Sequence, residues 1–285
     1  MDKDIYPKKA YERKIKWVRT AHQNAMPIAT TEKMAVMAGD VALLPQGQAL
    51  ALELALPLVT EPPASCELLL QLTPERLQLQ QLGPDAPGPV YVDFVEGVMG
   101  HRRKFGGGRG QLVAKAVGIK KGFVPDVIDA TAGLGRDSFV LAQLGCQVRM
   151  VERSPVVAAL LRDGMARGQL DDEVAAIIER MSLVVADAKE WLLALSEAQR
   201  PDVIYVDPMH PERTKAAEVK KEMKIFRELV GGDEDDAELL QAALRVARKR
   251  VVVKRPRKAE AIAGPKPNLV YEGKSTRFDV YLIAN

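Results

Sequence analysis

Four acidic residues recur between positions 129 and 207, each closing a short apolar run: Asp129 in DVIDAT, Glu152 in QVRMVE, Asp187 in LVVADA and Asp207 in DVIYVDP. The last of them opens the stretch Asp207-Pro208-Met209-His210-Pro211. A carboxylate followed by the backbone carbonyl of a proline offers two hydrogen-bond acceptors side by side. Such a pair suits the two N–H groups of a planar exocyclic amine, whose lone pair is delocalised into its ring. Holding both N–H groups turns the nitrogen toward an electrophile and needs no strong base. Asp207 and Pro208 are therefore the candidate catalytic pair. Taken alone, an Asp-Pro step also ends a strand and begins a turn.

The first acid belongs to a D-x-x-x-G-x-G loop at 129–135. Gly133 and Gly135 let the backbone turn sharply and approach a ligand where a side chain would clash. A dinucleotide fingerprint wants a third glycine at position 138, and this chain has Ser138 there. Glu152 is placed for two ribose hydroxyls and Asp187 for an adenine amine. Asp137 lies in the first turn of the next helix, where the helix dipole favours an acid. A lone G-x-G is usually a turn, and a strand-end acid is commonly a helix cap. The ordered series of acids, the missing third glycine and a terminal hairpin together favour S-adenosylmethionine over NAD.

The elements that must hold these residues alternate. From residue 125 onward, strands and helices follow one another, which implies right-handed crossovers and a doubly wound, Rossmann-like parallel sheet. The chain closes on NLVYEG and TRFDVYLIA, joined only by KS, so the sheet gains a C-terminal antiparallel hairpin. Between residues 41 and 94 the apolar period is two. ELLLQL and RLQLQQL flank TPE as a hairpin, PVYVDF reads as a further strand, and the region forms a small β-rich subdomain. GHRRKFGGGRGQ is a basic, glycine-rich loop leading into a helix near Leu112–Val117. Residues 1–38 stand apart as a basic leader. They read as an amphipathic helix with Tyr11, Ile15 and Val18 on one stripe, as a disordered segment, or as sequence upstream of a start at Met26, Met34 or Met37. The expected division is 1–38 leader, 39–95 β-rich subdomain and 96–285 catalytic domain.

Composition fits a globular protein, with 47% hydrophobic and 28% charged residues. No apolar run approaches the roughly 20 residues of a membrane span, and no apolar signal core opens the chain. Cys66 and Cys146 stand far apart in no metal or redox spacing, which points to a reducing cytoplasm, and the 3 histidines suggest no metal centre. The net charge of +3 is unevenly spread. Residues 97–125 carry seven Lys or Arg and no acid, and residues 239–259 carry eight and no acid. Two such clusters around a cofactor loop suit a polyanion, although a basic cluster is commonly just a solvated surface. Arg102, Arg103, Lys104, Arg109, Lys254 and Arg255 are the candidate phosphate contacts.

DPMHP resembles the [DN]-P-P-[YFW] signature of methyltransferases that act on planar exocyclic amines. Met209 replaces the second proline and His210 stands where an aromatic ring stacks on the base. Imidazole stacks less extensively, and Tyr205 is an alternative platform. With VDFVEGVMGHRRKFGGGRGQ, DATAGLGRDSFVLAQLGCQVRMVERSPVVAALL, VKKEM, VVVKRP and RFDVYL, the chain from about residue 41 onward resembles the small-subunit ribosomal RNA methyltransferase J family. The resemblance implies S-adenosylmethionine-dependent methylation of N2 of guanine-1516 in 16S rRNA, presented as naked rRNA or in the small ribosomal subunit. It implies cofactor contacts at Arg136, Asp137, Glu152, Arg153, Asp187, Ala188 and Asp207. That N2 lies in the shallow groove of paired RNA, so the base must be exposed or extruded, and HRRKFGGGRG is suited to close over base or cofactor. KKEMKIFREL reads as a solvated amphipathic helix. Three other readings stay open: an amine or amide methyltransferase for another nucleobase or a protein glutamine, a non-catalytic RNA-binding ribosome assembly factor, and an NAD-linked dehydrogenase. The intact acid series argues against the second and Ser138 against the third.

Overall fold

The structure is a computed structural model that describes the backbone of residues 17–19 and all atoms of residues 33–96, 110–208 and 235–284. Its main sheet has eight strands: β1 (Trp17–Arg19), β6 (Val127–Asp129), β7 (Val148–Glu152), β8 (Met181–Val185), β9 (Val203–Val206), β10 (Arg250–Pro256), β11 (Leu269–Glu272) and β12 (Thr276–Leu282). They lie in the order β1-β8-β7-β6-β9-β10-β12-β11. All neighbours are parallel except β12, which runs antiparallel to both β10 and β11. The expected mixed sheet with a terminal hairpin is therefore present.

The chain builds outward from β6 through β7 to β8, then returns to place β9 on the other side of β6. The strand order thus reverses between β6 and β9, and a crevice opens there at the carboxyl ends of the strands. The helices are α1 (Leu44–Leu54), α2 (Leu112–Val117), α3 (Arg136–Gln143), α4 (Pro155–Gly168), α5 (Ala175–Ile178), α6 (Ala188–Leu193) and α7 (Asp236–Val246).

The central strands are buried on both faces, which is why they read as unbroken Val/Ile runs instead of alternating with polar residues. Val127, Met150, Val203 and Val252 point into one layer with Phe139, Leu141, Leu160 and Leu161 of α3 and α4. Ile128, Val151, Ile204, Val206 and Val253 point into the other with Leu239, Leu240, Ala243 and Val246 of α7. The period of two along each strand distributes the helices to the two faces.

The second sheet has four strands in the order β3-β2-β4-β5, with β2 (Met34–Ala38), β3 (Leu58–Val59), β4 (Leu68–Leu72) and β5 (Leu77–Gln81). The hairpin expected around TPE is β4–β5, closed by Thr73, whose N–H donates to the Arg76 carbonyl at 2.9 Å while its hydroxyl oxygen accepts from Arg76 N at 3.1 Å. Four expectations are corrected here. The break after residue 38 falls behind β2, which pairs with both β3 and β4, so this sheet starts at Met34. ALALELAL, strictly alternating, lies largely in α1: Pro45 opens the helix, Leu50 is buried and Leu52 is exposed. PVYVDF contributes one bridge, Val90 to Leu79, and otherwise runs as coil. Its backbone is satisfied by side chains instead, with Arg167 donating to the Val92 carbonyl, while Phe94 stacks on Phe139 at 4.9 Å. In the leader, Trp17–Arg19 is a strand paired with β8, not part of a helix.

The two sheets meet through α4. Arg162 grips Glu53 of α1 with two hydrogen bonds of 2.7 and 2.8 Å, a fork geometry that orients as well as attracts. Gly164 lies against Val92, with no room for a larger residue: a Cβ there would sit 2.3 Å from the valine side chain.

Candidate active site

The crevice at the carboxyl ends of β6, β7, β8 and β9 is a cleft of about 650 Å³, open solvent at its mouth included. Ala130, Thr131 and Gly133 come from the loop after β6, Val151, Glu152 and Arg153 from the end of β7, and Asp187, Ala188 and Lys189 from the start of α6. Asp207 follows β9, and Asp235, Asp236 and Leu239 close the far side at the start of α7.

The glycine turn is held from within the sheet. Glu152 is buried, and its two oxygens accept from Gly133 N at 2.9 Å and Ser154 N at 2.7 Å. Burial pushes its pKa up, and the two backbone N–H groups pull it partly back. Gly133 has φ 53° and Gly135 φ 70°, both in the left-handed region that favours glycine. Their surroundings differ. A Cβ on Gly133 would meet nothing within 4 Å, whereas one on Gly135 would lie 2.7 Å from Leu161. Gly133 therefore keeps the cleft open, and Gly135 lets α3 pack on α4.

Behind the turn lies a buried polar cluster. Asp129 accepts from Thr131 N at 3.1 Å and from the Ser138 hydroxyl at 2.5 Å. Its pKa is pushed up to about 7, by burial first and then by the charges of Asp137 and Asp207. Thr131 Oγ1 accepts from Asp207 N at 2.6 Å, tying the start of the Asp-Pro stretch to the glycine loop. Tyr205 is fully buried and donates its hydroxyl to Asp137 at 2.7 Å. Burial, and then the surrounding acids, hold that phenol well above its ordinary range.

Of the residues expected at the cofactor, Gly133, Glu152, Arg153, Asp187, Ala188 and Asp207 line the cleft together. Asp187 also caps α6, accepting from Glu190 N at 3.1 Å. Gly135, Arg136 and Asp137 are not among the lining residues: Arg136 is exposed at the start of α3, and Asp137 faces Tyr205 and Lys254. Pro208 follows Asp207 as a buried residue. His210, Arg102, Arg103, Lys104 and Arg109 lie outside the described residues. Two expected phosphate contacts are corrected. Arg255 is buried and gives two of its donors to the Glu260 carbonyl, at 3.1 and 2.6 Å. Lys254 sits between Asp137 and Asp207, at 2.7 and 2.8 Å. Tyr205 is corrected as a stacking platform, since its ring has no exposed face.

The sequence reading missed Thr131 as the tie between the two loops and Lys254 as a partner of the acids. Both carried a signal: Thr131 lies two residues after β6, and Lys254 directly follows the apolar run Val251–Val253 of β10. The open space over Gly133, the apolar walls of Ala130, Val151, Ala188 and Leu239, and the carboxylates of Glu152, Asp187 and Asp207 fit a cationic nucleoside-bearing cofactor.

Comparison with known proteins agrees with this geometry. Residues 52–283 match a family model described as "Putative SAM-dependent methyltransferase". A protein of Dechloromonas aromatica named Ribosomal RNA small subunit methyltransferase J is 59% identical, the match covering 82% of this chain and 94% of that protein. A protein of the same name from Pseudomonas savastanoi pv. phaseolicola is 54% identical over 88% of this chain and 92% of its own. A crystal structure of a SAM-dependent methyltransferase from Neisseria gonorrhoeae superposes with a TM-score of 0.69 at 41% identity, covering 87% of this chain and 95% of that one.

Proposed function

Because the chain belongs to the ribosomal RNA small subunit methyltransferase J family of S-adenosylmethionine-dependent methyltransferases, we propose that it methylates the exocyclic N2 of a guanine in 16S rRNA, the position implied by the resemblance being guanine-1516. The observation that carries this reading is the placement of Asp207: it ends β9 at the strand-order reversal and lines the same cleft as Gly133, Glu152 and Asp187.

The bound cofactor supplies a sulfonium methyl group; transfer forms an N–C bond, breaks the S–C bond and releases one proton from the nitrogen. Glu152 and Asp187 are the candidate acceptors for the ribose hydroxyls and the adenine amine, with Arg153 and Ala188 beside them. Asp207 and the carbonyl of Pro208 accept the two N–H groups of guanine N2 and aim its lone pair at the methyl carbon. The carboxylates lining the cleft favour a cationic cofactor. His210 stacks on the base, and Arg102, Arg103, Lys104 and Arg109 contact phosphate, where affinity is salt-dependent and independent of sequence. The substrate is naked rRNA or the small ribosomal subunit. The enzyme acts in the cytoplasm, in keeping with two free, buried thiols at Cys66 and Cys146. Among the described residues no helix is long and apolar enough to cross a membrane.

The test is methyl transfer from labelled S-adenosylmethionine to small subunits lacking the modification and to naked 16S rRNA, followed by nucleoside analysis. N2-methylguanosine is expected with the native chain, and Asp207→Ala lowers the rate by about 10² to 10³-fold. Absence of label in either RNA, with cofactor binding intact, overturns the proposal.

A further inference from the structure

Among the described residues, three carboxyl groups, Asp129, Asp137 and Asp207, crowd the corner where β6, α3 and β9 meet, and the Lys254 ammonium enters it. Lys254 follows the buried run Val251–Val253 of β10, whose register pairs Val253 with Val206. Lys254 thus stands level with Asp207 on the adjacent strand. Its Nζ donates to Asp137 Oδ2 at 2.7 Å and to Asp207 Oδ2 at 2.8 Å. Asp137 Oδ2 also accepts the Tyr205 hydroxyl at 2.7 Å. Tyr205, Asp137 and Lys254 therefore form a chain that ends on Asp207, and only Asp207 of these four lines the cleft.

We propose that Lys254 is a positioning residue for methyl transfer: tethered by Asp137, it fixes the Asp207 side chain and keeps it a carboxylate whose remaining acceptor sites meet the guanine amine. The inference rests on the function proposed above. An ionised carboxylate has about four acceptor sites and no donor, whereas a protonated one presents an O–H. A protonated Asp207 would oppose an amine N–H or tie up the nitrogen lone pair, and either loses the nucleophile. Three acids in one corner push one another toward protonation. Lys254 opposes that for Asp207. Burial tends to lower the ammonium pKa, but the two carboxylates outweigh it and hold it above its ordinary range. The cation therefore persists throughout the working pH range.

Among the described residues, the charges around Asp207 can be named. Lys254 faces it from β10, Asp137 from α3, Asp129 from β6 and the Tyr205 phenol from its own strand. Across the cleft stand Glu152 of β7 with Arg153 just after it, Asp187 and Lys189 at α6, and Asp235 and Asp236 at α7. A purely phosphate-binding lysine has no need of two buried-side acid partners.

The test compares the full-length chain with Lys254→Met and Lys254→Arg in single-turnover methylation of small subunits, as a function of pH. The titration of the Asp207 carboxyl is followed in parallel by carbon NMR. For Lys254→Met, the expectation is unchanged S-adenosylhomocysteine affinity, unchanged KM for RNA and a rate about 10²-fold lower. The acid limb of the rate profile and the Asp207 midpoint both move upward by about one pH unit or more. Lys254→Arg keeps the charge, so the limb stays near its native position and part of the rate returns. A native rate and limb in Lys254→Met overturn the proposal. So does a change confined to RNA KM with a shallower salt slope, which would mark a phosphate contact. If the native chain itself methylates no RNA, the proposed function has failed, and the NMR midpoints still decide the pairing: an Asp207 midpoint insensitive to Lys254→Met overturns it. Should Lys254→Met not fold, Lys254→Gln takes its place with the same readouts.

Discussion

Ser138 donates its hydroxyl to the buried carboxyl of Asp129 at 2.5 Å, joining the first turn of α3 to the end of β6. In a dinucleotide-binding loop a glycine at that position lets helix and strand approach closely. Here the approach is made by a hydrogen bond, and it brings a carboxyl group under the glycine turn. That carboxyl is pushed up to about 7 from an ordinary value of 3.8, chiefly by burial.

This has a consequence for stability. Between about pH 4 and 7 the folded chain keeps a proton on Asp129 that the unfolded chain has released, so stability falls as pH rises through that window. Asp129→Asn retains an oxygen for Thr131 N and an N–H for the Ser138 oxygen, and it does not ionise. The Tm of Asp129→Asn relative to the native protein should therefore rise from about pH 4 to 7 and then level off. Thermal melts across that range check it, and a Tm difference that is flat with pH would show an acid that ionises as if exposed.

Much of this corner was legible beforehand, and the reasons are physical. Acids that end neighbouring parallel strands share one sheet edge, and Glu152, Asp187 and Asp207 line one cleft there. Their hydrogen-bond partners were not legible. Glu152 turns out to hold Gly133 N and Ser154 N, contacts between segments 19 and 2 residues apart that only the folded turn creates. Charge density alone marks Lys254 as a surface cation, because sequence shows how many cations cluster and not which of them faces inward. The α1 helix was hidden by its own pattern. Alternating leucines in ALALELAL mimic a strand, and only packing against β2 shows that Leu50 is buried while Leu52 is not.

The two glycines of the cofactor loop should separate in their effects. Gly135→Ala places a Cβ 2.7 Å from Leu161 and 3.2 Å from Phe94 in a left-handed backbone, so stability should drop by about 2–4 kcal/mol from strain and overpacking together. Gly133→Ala meets no protein atom within 4 Å, and its stability cost should be about 1–2 kcal/mol from the backbone alone. Its methyl group enters the cleft, so cofactor affinity should fall more for Gly133→Ala than for Gly135→Ala. Urea titrations and calorimetry with S-adenosylhomocysteine measure both quantities on both variants. Equal losses of affinity would remove the distinction between a glycine facing the ligand and one facing the core.

Glu152→Gln is the sharpest probe of how the turn and the cofactor are coupled. Both carboxylate oxygens accept from backbone N–H groups, and a glutamine can offer an oxygen to one of them only. Its NH2 group must then face either Gly133 N or Ser154 N, donor against donor, at a buried position. Leaving one buried backbone donor unpaired costs about 1–3 kcal/mol. If the glutamine orients toward Ser154, Gly133 is released and the cleft loses its shape. If it orients toward Gly133, the start of α4 loosens while the turn survives. Loss of the turn should weaken S-adenosylhomocysteine binding by about tenfold or more, since tenfold corresponds to about 1.4 kcal/mol. Loss at α4 should instead lower Tm with little change in affinity. Calorimetry and thermal melts on the same preparation tell the two apart, and a variant unchanged in both would mean that Glu152 neither braces the turn nor touches the cofactor.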